Sequence, residues 1–171
     1  MKVLGFRARS RGFTLVEFMV TMAVLVITLG LAVPAFSSFI ARNQGTAIKS
    51  SFMSSTALAR AEAARAGMQV VLQAAAGGSA GNEFAGGWDL YLDVDGSGTV
   101  TAGDTLLRHY EALPSGVTLH GGGTVLFSAN GYLVPVANLS YTLCRADGTG
   151  YSMVLAPNGT AYSSAITGCT P

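Results

Sequence analysis

Residues 11–35 read RGFTLVEFMVTMAVLVITLGLAVPA, an apolar run with a single acid, Glu17, near its start. From Phe18 to Ile40 no side chain is charged, and Glu17 is the only charge between Arg11 and Arg42. A helix rises about 1.5 Å per residue, so a run of this length matches a bilayer core. Upstream, residues 1–12 carry Lys2, Arg7, Arg9 and Arg11 without an acid, whereas the whole chain has a formal net charge of only +1. Cationic flanks stay on the cytoplasmic side of a membrane, so the chain beyond the apolar run is expected to be exported. Composition agrees: 50% of residues are hydrophobic and 11% charged, a low charge density for a soluble protein. The 171 residues leave room for one modest domain after a targeting segment.

Three explanations compete for the N-terminus. A secretory signal peptide would use Val33-Pro34-Ala35 as its small-residue site and be cut after Ala35. The apolar run is long for that purpose, and Glu17 is out of place in it. A plain signal anchor tolerates the length but has no use for Glu17, since an acid deep in a bilayer costs about 2.5–3.5 kcal/mol. The third explanation uses the acid. A cut between Gly12 and Phe13 places Glu17 one helical turn from a new α-amino group, and amine and carboxylate neutralise each other. Between stacked subunits the same pair would set the axial register of a filament, because an unpaired carboxylate in lipid penalises misplacement.

The string from Arg11 to Val20, with Gly12 before the cut, Phe13 after it, Glu17 and the later Pro34, resembles the class III signal of type IV prepilins and type II secretion pseudopilins. That resemblance implies a prepilin peptidase that cleaves after Gly12 and N-methylates Phe13. It also implies an inner-membrane assembly platform with its ATPase, and other minor and major pilins or pseudopilins as partners. Residues 57–66, ALARAEAARA, with the later runs Trp88 to Asp93, Leu106 to Arg108, Leu113 to Val117 and Phe127 to Gly131, are similar in order to minor pilins of the FimT and FimU type and the H pseudopilin of type II secretion. The implied fold is the α+β pilin fold, a long transmembrane and assembly helix laid on an antiparallel β-sheet domain.

With the resemblance, residues 1–12 are expected to be the leader, 13–40 the transmembrane part of the helix, 41–66 its amphipathic part and 67–171 a β-rich domain in the periplasm or beyond. Pro34 lacks an N–H and, with Gly30, is expected to kink the helix. After it, Ile48, Phe52, Ala59 and Ala63 recur at helical spacing. Gly67 suits a helix stop, which gives a helix of about 80 Å. Beyond it, short runs rich in Val, Leu, Tyr and Thr, at 68–73, 88–93, 124–127, 139–144 and 151–155, read as strands punctuated by glycine. Residues 74–87, rich in Ala, Gly and Ser, read as a mobile loop.

Two further features invite chemistry. Cys144 and Cys169 fall in the exported part, where an oxidising compartment favours a disulfide closing 24 intervening residues; two buried free thiols are the alternative. From Asp93 to Asp104, oxygen side chains stand at the first, third, fifth and twelfth positions (Asp93, Asp95, Ser97 and Asp104), glycine at the sixth, and Thr99 offers a carbonyl at the seventh. This is the spacing of an EF-hand-like calcium loop, with Asp in place of the final Glu and a strand in place of the entering helix. The plainer alternative is a polar hairpin loop using Asp and Gly for turn chemistry.

Nucleic acid is not an expected partner. From Gly67 onward Arg108 and Arg145 face seven acidic residues, a balance that repels phosphate. Nor is an enzyme expected, since His109 and His120 lie in no ligand or nucleophile motif and Gly121-Gly122-Gly123 is not followed by a phosphate-loop pattern. The expected role is a structural subunit of a type IV pilus or type II secretion filament. It would sit in the inner membrane by a single pass, N-terminus inside and β-domain outside, before joining the filament. A DNA-uptake pilin and an exported domain with a conventional signal peptide are the alternatives.

Overall fold

The computed structural model describes residues 12–171. Helix α1 runs without interruption over Leu15–Ala66, through Gly30 and Pro34. By its contacts the chain divides into two units, one ending at Ile40 and the other spanning Ala41–Pro171.

The second unit holds a two-sheet domain. Strands β1 (Gln69–Ala74), β2 (Trp88–Asp93), β3 (Thr105–Tyr110), β5 (Thr124–Phe127) and β6 (Leu133–Val134) form one sheet in the order β3-β2-β1-β5-β6. The other sheet orders β4 (Val117–His120), β7 (Leu139–Arg145), β8 (Thr149–Leu155) and β9 (Ala161–Thr167) as β4-β7-β8-β9. Every pairing is antiparallel. The fold class is therefore the α+β arrangement expected, but with two sheets rather than one and with β3, β4, β6 and β9 added to the strands read from the sequence.

The core explains the helix pattern. Phe52, Ser55, Thr56, Ala59 and Ala63 are fully buried, and their spacing puts them on one helical stripe. Phe52 meets Phe84, Trp88 and Tyr141 at ring-centroid distances of 5.3, 5.4 and 4.9 Å. Such aromatic contacts contribute about 0.5–1.5 kcal/mol each beyond area burial. The polar members of the stripe are satisfied. Ser55 Oγ donates to the Phe52 carbonyl at 2.7 Å and accepts from Trp88 Nε1 at 3.0 Å, tying helix to β2. Gly67 ends the helix at φ 65°, a left-handed conformation that needs no Cβ penalty, and the Met68 N–H reaches back to the Ala63 carbonyl.

Residues 74–87, expected to be a mobile loop, are folded onto the domain. Phe84 is fully buried, Asn82 Oδ1 accepts the Leu119 N–H, and Glu83 accepts N–H groups from Gly81 and Gly121. The Ala, Gly and Ser content reflects close backbone approach: a Cβ on Gly86 would fall 2.0 Å from the Ala76 carbonyl oxygen.

Candidate functional site

The N-terminal segment and the acidic loop hold most of the sequence-derived site residues. The leader up to Arg11 lies outside the described residues. Gly12, Phe13 and Thr14 are non-helical and exposed, and a Cβ built on Gly12 would meet nothing within 4 Å. The bond between Gly12 and Phe13 is thus in open, irregular backbone immediately before the helix. Thr14 caps that helix: its Oγ1 accepts the Glu17 N–H at 3.2 Å, and its carbonyl accepts the Phe18 N–H at 3.1 Å. The order Thr-x-x-Glu is a capping-box signature that sequence reasoning missed, and it gives Glu17 a second reason to stand in the first turn. No ion pair reaches Glu17 among the described residues.

From Leu15 to Ala32 the mean hydropathy is 2.3 and none of the window is buried by the protein. Phe13 is 72% exposed and Leu31 73%. Among the described residues nothing covers this apolar window, and a surface of that kind suits lipid or other helices as its surroundings. The hydroxyls inside the span are satisfied internally, Thr21 donating to the Phe18 carbonyl and Thr28 to that of Val24.

The acidic loop leaves β2 at Asp93 and returns at Asp104 just before β3. Asp93, Asp95 and Asp104 bring carboxylate oxygens within 4.8 Å of one another. Asp93, 1% exposed, accepts the Ser97 and Gly98 N–H groups at 3.1 and 2.7 Å. Asp104 accepts those of Val94 and Thr101 at 2.9 and 2.7 Å. The Ser97 hydroxyl and N–H, with Thr101 Oγ1, hold the Asp95 carboxyl below its ordinary range. Ser97 Oγ also donates to the Thr99 carbonyl at 2.9 Å. The structure therefore gathers the three aspartates but turns Ser97 and Thr99 toward each other. The loop folds back over the outer sheet face, where a Cβ on Gly98 would lie 3.2 Å from Leu126 Cδ2 and 3.8 Å from Gln69 Oε1. That Gln69 oxygen, across β1–β2 from Asp93, is buried without a hydrogen-bond partner.

Cys144, on β7, and Cys169, after β9, are joined in a disulfide with a Cα separation of 5.7 Å, which settles the alternative of free thiols. The two basic residues of the β-domain are engaged locally. Arg108 lies over the Tyr110 ring, and Arg145, 8% exposed, bonds to Thr149, the Arg42 carbonyl and Asp147. Both histidines face acids: His109 meets Asp89 at 2.6 Å, which raises its pKa, and His120 meets Glu83 at 2.8 Å.

Residues 50–160 match the family model described as type II transport protein GspH, and residues 7–33 match the prokaryotic N-terminal methylation motif. The chain is 41% identical over 49 residues to the type IV major pilin protein PilA of Myxococcus xanthus (strain DK1622), a match covering 29% of this chain and 22% of that protein. The chain thus aligns with about a fifth of the length of the curated relative. Two crystal structures of the type IV minor pilin FimU of Pseudomonas aeruginosa (strain PAO1) share the fold. One has a TM-score of 0.59 at 19% identity, covering 76% of this chain and 94% of that one. The other has 0.52 at 20% identity, covering 71% and 93%.

Proposed function

We propose that this chain, which belongs to the type II transport protein GspH family within the type IV pilin and pseudopilin superfamily, is a minor structural subunit of such a filament. In this reading a prepilin peptidase cuts between Gly12 and Phe13 and methylates the new amine. The span beginning at Leu15 holds the subunit in the inner membrane with the β-domain outside, and an assembly platform then draws it into the filament. The observation that carries the reading is the order of features at the N-terminus. An exposed Gly12–Phe13 bond precedes a capped helix with Glu17 in its first turn and an apolar surface left uncovered among the described residues.

The subunit contributes no reaction chemistry in this account. Glu17 is its positioning group: in lipid the carboxylate seeks the methylated amine, and a subunit that stops out of register leaves both uncompensated. In host cells, Glu17→Leu is expected to keep membrane anchoring and to be lost from the sheared filament fraction; Glu17→Leu subunits incorporated at the wild-type level would overturn the role. Deletion of the chain separates the two machines, since loss of surface motility with intact exoprotein release assigns it to a pilus and the opposite pattern to secretion.

For the acidic loop we propose weak calcium binding through Asp93, Asp95 and Asp104. The buried, unpartnered Gln69 oxygen beside Asp93 supports it, as an acceptor that neighbours other acceptors. Calcium titrated into the full chain in detergent is expected to raise its melting temperature, and Asp95→Asn to remove the rise. An equal response from wild type and Asp95→Asn would leave the loop a plain hairpin turn.

A further inference from the structure

The two sheets have four outer strands, and three of these are protected against further pairing. β3 carries Arg108 and a register shift against β2 between Leu90 and Tyr91. β4 has 4 residues and β6 only 2. Charges, bulges and short length are the usual means by which sheet edges avoid new partners. β9 has none of them. It pairs with β8 in unbroken register over 7 residues, and from Ala161 to Thr167 it has no charge and no proline.

The ladder fixes which backbone groups are free. The Ala156 N–H donates to the Thr160 carbonyl at one end, and the Gly168 N–H to the Gly148 carbonyl at the other. Antiparallel pairs alternate, so Tyr162, Ser164 and Ile166 turn their N–H and C=O groups to β8. Ala161, Ser163, Ala165 and Thr167 turn theirs outward, where among the described residues no strand meets them and no turn bond reaches them. The disulfide at Cys169 holds the chain just past this edge, so the edge is ordered before anything binds.

Beside the start of β9 lies a groove of about 590 Å³ between α1 and the β8–β9 turn, bordered by Met53, Ala57 and Ala61 on one side and Gly159 and Ala161 on the other. Among the described residues that line it, Arg60 is the one with an ionic side chain. The Arg60 stem is held by two glycines, since a Cβ on Gly159 would fall 2.8 Å from its Cδ and one on Gly131 would fall 3.0 Å from its Cγ. No acid pairs with its guanidinium among the described residues.

The geometry points to β9 as a strand-addition site for an extended, acid-bearing segment of another protein chain. The added strand pairs with the outward groups of Ala161, Ser163, Ala165 and Thr167, and its end beside Ala161 reaches the groove and places a carboxylate on Arg60. A second copy's β9 is the poorer occupant, because it has no acid to offer Arg60. The site does not depend on which filament the chain joins.

The test uses the full chain in detergent micelles with a synthetic peptide of β9's length that alternates valine and threonine and ends in aspartate. The expected result is slowing of amide exchange at Ser163 and Ala165 by about tenfold or more at saturation. The effect should weaken when lysine replaces the aspartate and vanish when alternate peptide amides are N-methylated. Ser163→Pro removes an outward N–H without touching the β8 ladder and should abolish the slowing. Arg60→Met keeps the stem and should remove the preference for aspartate. Unchanged exchange with every peptide, or equal slowing by the N-methylated one, would overturn the proposal, even if Ser163→Pro fails to fold. So would slowing that grows with protein concentration alone, which would assign the edge to a second copy.

Discussion

Arg145 crosses α1 at Gly45 so closely that a Cβ on Gly45 would lie 2.5 Å from Arg145 Cδ and 3.2 Å from its Cγ. The arginine cannot simply swing aside, because its guanidinium is held by Thr149, Asp147 and the Arg42 carbonyl. Glycine inside a helix ordinarily costs about 1 kcal/mol relative to alanine, so Gly45→Ala would stabilise an isolated helix. Here the sign reverses: overpacking should destabilise the domain by about 1–3 kcal/mol in thermal or urea unfolding. In an Arg145→Ala background the same Gly45→Ala change should become neutral or stabilising. Independent effects in the two backgrounds would contradict the contact.

Tyr141 gives an expectation of the opposite kind. Its ring is in the aromatic cluster with Phe52 and Phe84, and its hydroxyl is buried without a partner. Burial pushes its pKa well above the ordinary tyrosine value. Removing an unsatisfied hydroxyl while keeping the ring should help, so Tyr141→Phe is expected to stabilise the domain by about 1 kcal/mol. A loss of stability would mean that the hydroxyl has a partner.

The helix and the class of the domain were legible because periodicity changes at Gly67, and because Phe52, Ala59 and Ala63 announce a buried stripe. What stayed hidden has physical causes. β9 reads Ala-Tyr-Ser-Ser-Ala-Ile-Thr, with small side chains left mostly exposed on both faces, so no alternation marks it as a strand. The two-residue β6 is too short for any pattern. Phe84 was lost in a run of Ala, Gly and Ser, although it fills the centre of the core. The pair Gly45 and Arg145 depends on tertiary approach across about a hundred positions, which local pattern reading does not reach. At the N-terminus the Thr14 cap was a missed motif, although Thr14 and Glu17 stand at capping-box spacing. In the acidic loop the spacing found the three clustered aspartates but not the turn of Ser97 toward Thr99.

Acid should loosen the loop that carries Phe84. Backbone N–H groups of Gly81 and Glu83 itself, with His120 and the Gly121 N–H, pull the Glu83 pKa from 4.5 to about 2. A carboxyl with a depressed folded pKa contributes stability that is present above the unfolded value and lost as pH falls through the folded one. The contribution should therefore fade between pH 4.5 and about 2. Trp88, in contact with Phe84, reports it by fluorescence. Glu83→Gln should lower stability at neutral pH and flatten this part of the profile; an unaltered acid limb would assign the transition to other carboxylates. The His109–Asp89 pair acts with opposite sign, contributing at low pH and fading as pH rises through the elevated histidine pKa.

The most direct measurement is the intact and N-terminal peptide mass of the protein recovered from its host membrane. The expected mature chain starts at Phe13 and carries one methyl group on its α-amine. A chain that starts at Phe36, or one that retains Met1 uncut, would contradict assembly as a pilin and leave a secreted or merely anchored domain.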